Sequence, residues 1–290
     1  MTEHPPLYIH AGAHRTGSTS FQWCLHENRL VLEAQGWTLA YPGRDGIPTG
    51  QLALRLPAGR RIDPAAAARK ARRALGSYKT GRPVILSEEN ILGRMFHFMK
   101  GQFYPFAENR CAALRAAWDG PIRHLLLVVR PYEDLFVSAF RKRAEDHPMP
   151  EFSALRDRYL NIDRGWPELA AAMCDILEPE QMTVLPYAAR GTNLHLLHRL
   201  APGLDGSGLI EPNRVANQSP SDAALAHLQT RHRAEVKLSR ADIHDIALRY
   251  ATDQTRGRFA GFSELDRADL AARYASDLKQ IEWMSNINVA

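Results

Sequence analysis

The apolar positions of the chain fall into short runs separated by polar and glycine-rich stretches. Leu7 to His10 is a β-rich run, and Ser18 to Ala34 carries Phe21, Leu25, Leu30 and Leu32 at near-helical spacing. The residues between them therefore read as a loop leading from a strand into a helix. Residues 41–62, rich in Gly, Pro and Arg, read as an irregular excursion, and Pro64 to Leu75 as an Ala/Arg helix with Pro64 suited to its first turn. Val84 to Leu86 is a buried-type strand that stops at Ser87 and two carboxylates. The strongest strand lies in HLLLVVRPYEDLFVSAFRKR, residues 124–143, where Arg130-Pro131 ends it and an amphipathic helix follows. MTVLPYAARG, residues 182–191, supplies another short strand closed by Pro186. From about Ser219 the pattern is almost entirely helical, with N-caps expected at Ser219 or Ser221 and at Ser263.

Strands alternating with helices predict an α/β fold, a parallel sheet with helices on both faces. In such sheets ligands gather at the carboxyl ends of the strands. Three polar features fall there: Gly12 to Thr19, Ser87 to Asn90, and Arg130 with Ser138. The expectation for the whole chain, 1–290, is one domain with a core over about 5–215 and a helical C-terminal lobe over about 216–290.

Composition narrows the setting. Hydrophobic residues make up 45% and charged residues 24%, ordinary for a folded globular chain without low-complexity segments. Cys24, Cys111 and Cys174 are widely spaced with no CxxC pair, which favours a reducing compartment. No basic-then-apolar leader and no run approaching ~18 apolar residues is present, so a cytoplasmic chain without a transmembrane segment is expected. The net charge of +5 suits an anionic ligand, while the absence of a nucleic-acid reader motif argues against a nucleic-acid partner.

The candidate chemistry begins in YIHAGAHRTGSTSFQWCL, residues 8–25. A P-loop would put lysine directly after Gly17; Ser18 stands there, and the basic residue, Arg15, comes two places before that glycine. The small residues from Gly12 to Thr19 let backbone NH groups face an anion, Ser18 and Thr19 add hydroxyl donors, and the following helix contributes its positive end. The plainer alternative is a glycine-rich turn that caps a helix. Arg130 can grip phosphate oxygens bidentately, with Ser138 near the start of the next helix as a second donor beside the dipole; a surface ion pair and a solvated serine are the alternatives. Glu88 and Glu89 are candidate bases that a helix N-terminus after Ser87 would keep ionised, or acids that only complement that dipole. His14 and His97 are alternative bases. His195 and His198 share a helix face at i and i+3 but lack a third ligand, so no metal is expected.

GAHRTGST resembles the 5'-phosphosulfate loop of the sulfotransferase family, G-x-x-K-[ST]-G-[ST]-[ST], with Arg15 at the family's basic position. Arg130 and Ser138, eight residues apart, resemble the pair that holds the 3'-phosphate of the family's donor. LSEEN resembles a strand-end stretch of similar bacterial enzymes in which Glu89 matches a glutamate; MTVLPYAARG resembles a late family strand, and NRVANQSPSDAALAHL a segment that opens the C-terminal helices of bacterial carbohydrate-type members. The resemblance implies a P-loop NTPase-like fold and transfer of a sulfuryl group from 3'-phosphoadenosine 5'-phosphosulfate (PAPS) to a hydroxyl acceptor on a glycan, glycolipid or glycosylated small molecule. Adenosine 3',5'-bisphosphate (PAP) would be released, and no metal is needed. It further implies that Arg15 stabilises the leaving oxygen, that Thr16, Gly17, Ser18 and Thr19 bind the 5' side together with Gly12 and His14 of the same loop, and that Arg214 and Asn217 close over the nucleotide.

Two other readings compete. In a kinase using Mg-ATP, VILSEE would be a Walker-B-like strand, but the lysine after Gly17 is missing. A non-catalytic relative would bind a nucleotide or a partner protein through the C-terminal helices. The acceptor pocket is expected from residues 41–62, 94–110 and 143–165, whose aromatics Phe96, Phe98, Phe103, Tyr104, Phe106 and Tyr159 could stack on an acceptor or equally be core. The C-terminal lobe is expected to help form that cleft.

Overall fold

The computed structural model describes residues 4–57, 59, 63–213, 219–253 and 257–290. The first half runs β1 (Leu7–His10), α1 (Ser18–Glu27), α2 (Arg29–Ala34), β2 (Thr38–Ala40), α3 (Pro64–Leu75), β3 (Val84–Ser87), α4 (Ala107–Ala117) and β4 (Ile122–Val129). The second continues with α5 (Tyr132–Asp146), α6 (Arg156–Leu160), α7 (Trp166–Leu177), β5 (Gln181–Pro186), α8 (Asn193–Leu200), α9 (Asp222–Arg233), α10 (Arg240–Arg249), α11 (Glu264–Glu282) and β6 (Ile287–Val289). Among the described residues the strands form one six-stranded sheet in the order β2-β3-β1-β4-β5-β6. Every pairing is parallel.

β4 is apolar throughout its second half because both faces of the sheet are covered. Leu125, Leu127 and Val129 point into a core shared with α3, α4, α5 and α7. Leu126 and Val128 point the other way, against Phe21 and Leu25 of α1 and Leu196, Leu197 and Leu200 of α8. Of the aromatics left open by sequence, Phe98, Phe103, Tyr104 and Tyr159 belong to the first core, fully buried. No helix among the described residues is long and apolar enough to cross a membrane.

Two elements differ from the sequence reading. The helix expected over 18–34 breaks at Asn28, whose side chain donates to Cys24 O (2.9 Å) and to Ile210 O (2.8 Å). Leu30, just past the break, is left 81% exposed rather than buried. The last third is not purely helical either: α11 packs on α5 and α7 and returns the chain to the sheet, where β6 pairs with β5. A three-residue strand containing Asn288 is too short for periodicity to reveal. Ser221 and Ser263 do cap α9 and α11.

The connection leaving β1 passes to one side, towards β2, and the one leaving β4 passes to the other, towards β5. Their carboxyl ends therefore diverge and open a crevice. One wall of it is pinned by Arg110, a buried side chain of α4 that donates to the main-chain oxygens of Asn90, Ile91, Leu56 and Pro57. Burial lowers its guanidinium to about 10, which leaves it charged at neutral pH. Replacing it leaves several carbonyls without a donor. Arg110→Met should therefore cost on the order of 3 kcal/mol in a urea melt; a loss under ~1 kcal/mol would mean that this anchor is dispensable.

Candidate functional site

After β1 the backbone keeps pairing with β4: Ala11 N donates to Leu126 O (3.0 Å) and Ala13 N to Val128 O (3.0 Å). The loop thus leans on β4, while on the β3 side Glu88 N donates to His10 O (3.1 Å). Gly12, at φ 87, makes that turn possible, since a Cβ there would stand 2.8 Å from the Glu89 Cβ. The hydroxyls of Thr16 and Ser18 both donate to Ala13 O, at 2.6 and 3.1 Å, and close the loop on itself. Gly17, at φ 86, then starts α1 without a capping side chain and with no acid in the first turn. Helix geometry leaves such first-turn NH groups without intrahelical acceptors, so their end of the helix favours an anion.

A cleft of about 270 Å³ lies at this point, lined by His14, Arg15, Gly17, Ser18, Thr19, Ser20, Glu89, Met95, Arg130, Lys142 and Tyr187. The structure therefore gathers most of the sequence candidates on one surface, although they come from three strand ends spread over more than a hundred residues of chain. Gly12, Thr16 and Ser138 are not among the cleft's lining residues: Gly12 packs against Glu89, and Thr16 is fully buried and serves the turn. Arg214 and Asn217 lie outside the described residues.

Arg15 Nε donates to Ser138 Oγ (2.8 Å), and Arg130 donates to the Arg15 carbonyl (2.7 Å). The Arg130 guanidinium also lies over the Tyr187 ring, 5.0 Å from its centroid. The two motifs are one connected unit. Ser138 stands about two turns into α5, not at its start, so the helix dipole, which acts within the first turn, contributes nothing there. Its position comes instead from Arg15.

The acidic wall also differs from expectation. Ser87 ends β3 and starts no α-helix; Glu89–Ile91 is a single 3-10 turn with Glu88 before it. Instead of a dipole, discrete partners hold the two carboxylates. Glu88 is buried, accepting from Asn90 N (2.9 Å), Asn90 Nδ2 (3.0 Å) and Arg44, and it does not line the cleft. Glu89 does, at 16% side-chain exposure, paired with Arg44 (3.0 Å) and accepting from Gln22 Nε2 (3.1 Å). Of the two acids, Glu89 is the one placed to meet a ligand.

The orientation of His14 follows from the same network. Because Asn90 Nδ2 is committed to Glu88, its Oδ1 faces His14 Nε2 (3.2 Å), which must donate and so leaves Nδ1 as a buried lone pair with no hydrogen-bond partner among the described residues. Burial, only partly opposed by Asn90 and Glu88, lowers His14 to about 4. His10 behind the loop is bonded to Ser87 Oγ (2.9 Å), and burial, with Arg190 adding, lowers it to about 3. Both rings are neutral at neutral pH. His97 is lowered by burial too and packs between Phe96 and Phe106, off the cleft.

Sequence reasoning missed Lys142, Tyr187, Arg44 and Arg190. Lys142 was legible in principle, since it lies one helical turn beyond Ser138 on the same face. Arg190, whose guanidinium reaches Gly17 O (3.4 Å) and Asn193, comes from the stretch after β5 and only the fold brings it under the loop. No group of three or more His, Cys, Asp or Glu among the described residues is placed to hold a metal ion. Comparison with protein-family models, curated proteins and solved structures gives no match.

The two depressed histidines fix the sign of a pH dependence. Below pH 6.5 the unfolded chain takes up protons at these positions that the folded chain refuses until about pH 4 or 3, so stability falls as pH drops through that window. The melting temperature should decline from pH 7 to pH 4.5 and do so less steeply in His14→Gln; identical slopes for the two proteins would remove His14 from this account.

Proposed function

We propose that the chain is a sulfotransferase that moves a sulfuryl group from PAPS to a hydroxyl acceptor on a P-loop-like scaffold. The observation that carries this reading is Arg15: the basic residue of the anion loop precedes Gly17 by two places, lines the cleft and is tied to Ser138 and, through its carbonyl, to Arg130. A lysine following Gly17 would serve the terminal phosphates of a nucleoside triphosphate. An arginine before it, on the wall of the cleft facing Glu89, suits a bond broken between phosphate and sulfate. The uncapped first turn of α1 and the cluster of Arg15, Arg130 and Lys142 fit a polyanionic donor.

In the transfer step the acceptor oxygen bonds to sulfur as the bond from sulfur to the bridging phosphate oxygen breaks. The bonding pair leaves on that oxygen, whose charge Arg15 stabilises, and the acceptor proton passes to Glu89. Arg44 and Gln22 hold the Glu89 carboxylate in place for this task, while Glu88 supports the wall behind it. Neutral His14 lines the same cleft beside Glu89. Arg130 holds the 3'-phosphate, and PAP is the product that leaves. The acceptor is a glycan, glycolipid or glycosylated metabolite, and the three free cysteines agree with action in the reducing cytoplasm.

Calorimetric titration without magnesium should give tight binding of PAP and weak binding of ADP, because the 3'-phosphate is read; ATP binding that requires magnesium would favour a kinase instead. Arg130→Ala should weaken PAP by about 10- to 100-fold through loss of a charge-assisted contact. Glu89→Gln should leave PAP affinity intact and lower turnover by about 100-fold. Full turnover in that variant would take the proton-acceptor role away from Glu89.

A further inference from the structure

A second cleft, of about 200 Å³, adjoins the first and shares His14 and Met95 with it; Asn90, Arg94, Phe96, Met99 and Arg143 complete its lining. Its floor is apolar, made by Met95, Phe96 and Met99, all half-buried. Its charge is one-sided. The guanidinium groups of Arg94 and Arg143 lie 6.0 and 5.9 Å from the Phe96 ring centroid, and the Lys100 ammonium 5.8 Å.

Cations elsewhere around α5 are matched: Arg141 with Asp222, Lys142 with Glu145, Arg164 with Glu108. Neither Arg94 nor Arg143 has a carboxylate within ion-pair distance among the described residues. Asp146 acts on Arg143 from farther off, and its close contact is with Arg240. Burial and the neighbouring Arg94 both disfavour the charge of Arg143. Two like charges held over one ring at the rim of an apolar cleft repel each other, and an anion between them would relieve that cost. A neutral sugar would not.

We infer that this second cleft is the acceptor subsite and that the acceptor is acidic. Its planar or apolar part lies on Met95, Phe96 and Met99, a carboxylate, phosphate or sulfate sits between Arg94 and Arg143, and the reacting hydroxyl reaches past His14 towards Glu89. The inference rests on the sulfotransferase reading for the word acceptor; binding of an acidic hydroxyl compound here does not depend on the donor.

The test is direct titration of para-nitrophenyl glucuronide and para-nitrophenyl glucoside, which differ only in a carboxylate against a hydroxymethyl group, with no nucleotide present. The glucuronide should bind about tenfold more tightly, and the preference should shrink at high salt. The Arg94→Gln/Arg143→Gln double variant should bind both alike, with unchanged affinity for the glucoside and a melting temperature no lower than that of the wild type. Equal binding by the wild type, binding of neither probe, or a preference that survives the substitutions overturns the inference. A parallel PAP titration separates the two readings: failure of PAP with the glucuronide preference intact removes the donor and leaves the acidic subsite standing, and the reverse result removes only the subsite.

Discussion

A guanidinium buried with no carboxylate at bonding distance among the described residues has to find its partners in the main chain. Arg110 does so with the carbonyls of residues 56, 57, 90 and 91, joining the irregular excursion after β2 to the turn after β3. That anchor ties the turn that presents Glu89, itself bonded to the end of β1 through Glu88 N and His10 O, to the excursion that carries Arg44. Glu88, buried beside them, favours the Arg110 charge across the same layer. The acidic wall is thus held by charge satisfied internally, and the cleft in front of it is left for charge supplied by a ligand.

The opposite wall is built on different physics. The loop after β1 is held by main-chain bonds to β4 and by two hydroxyls turned onto the same carbonyl, so it needs no buried ion pair. What it exposes is positive: an uncapped helix start, Arg15 and, from the end of β4, Arg130. One acid, Glu89, and the cations Arg15, Arg130 and Lys142 thus line a single crevice.

α5 couples both clefts. It supplies Lys142 to the lining of the first and Arg143 to the second, and its Ser138 holds Arg15 at the first, while Phe136 and Phe140 face the core. Its far end is secured by α9, where Gln229 bonds Ala144 O, His147 O and Met149 N, and by Arg141 with Asp222. The C-terminal region therefore supports the site from behind. Among the described residues it contributes no lining residue to either cleft.

The sequence by itself determined the α/β alternation, the glycine-rich loop between β1 and α1 and the strand ends just before Glu88-Glu89 and Arg130, because a sheet buried on both faces writes long apolar runs and a turn into a helix demands small residues at set places. Periodicity carried no information on the break at Asn28 or the strand at Ile287, which depend on single bonds and on an edge offered by β5. Only the tertiary structure decided that Glu88 turns inward while Glu89 faces the cleft, that Ser138 answers to Arg15 rather than to a helix end, and that Arg94 and Arg143 converge on one ring. Those outcomes turn on which side chains reach a common point in space, and neighbours in space are fixed by how the layers stack, not by spacing along the chain.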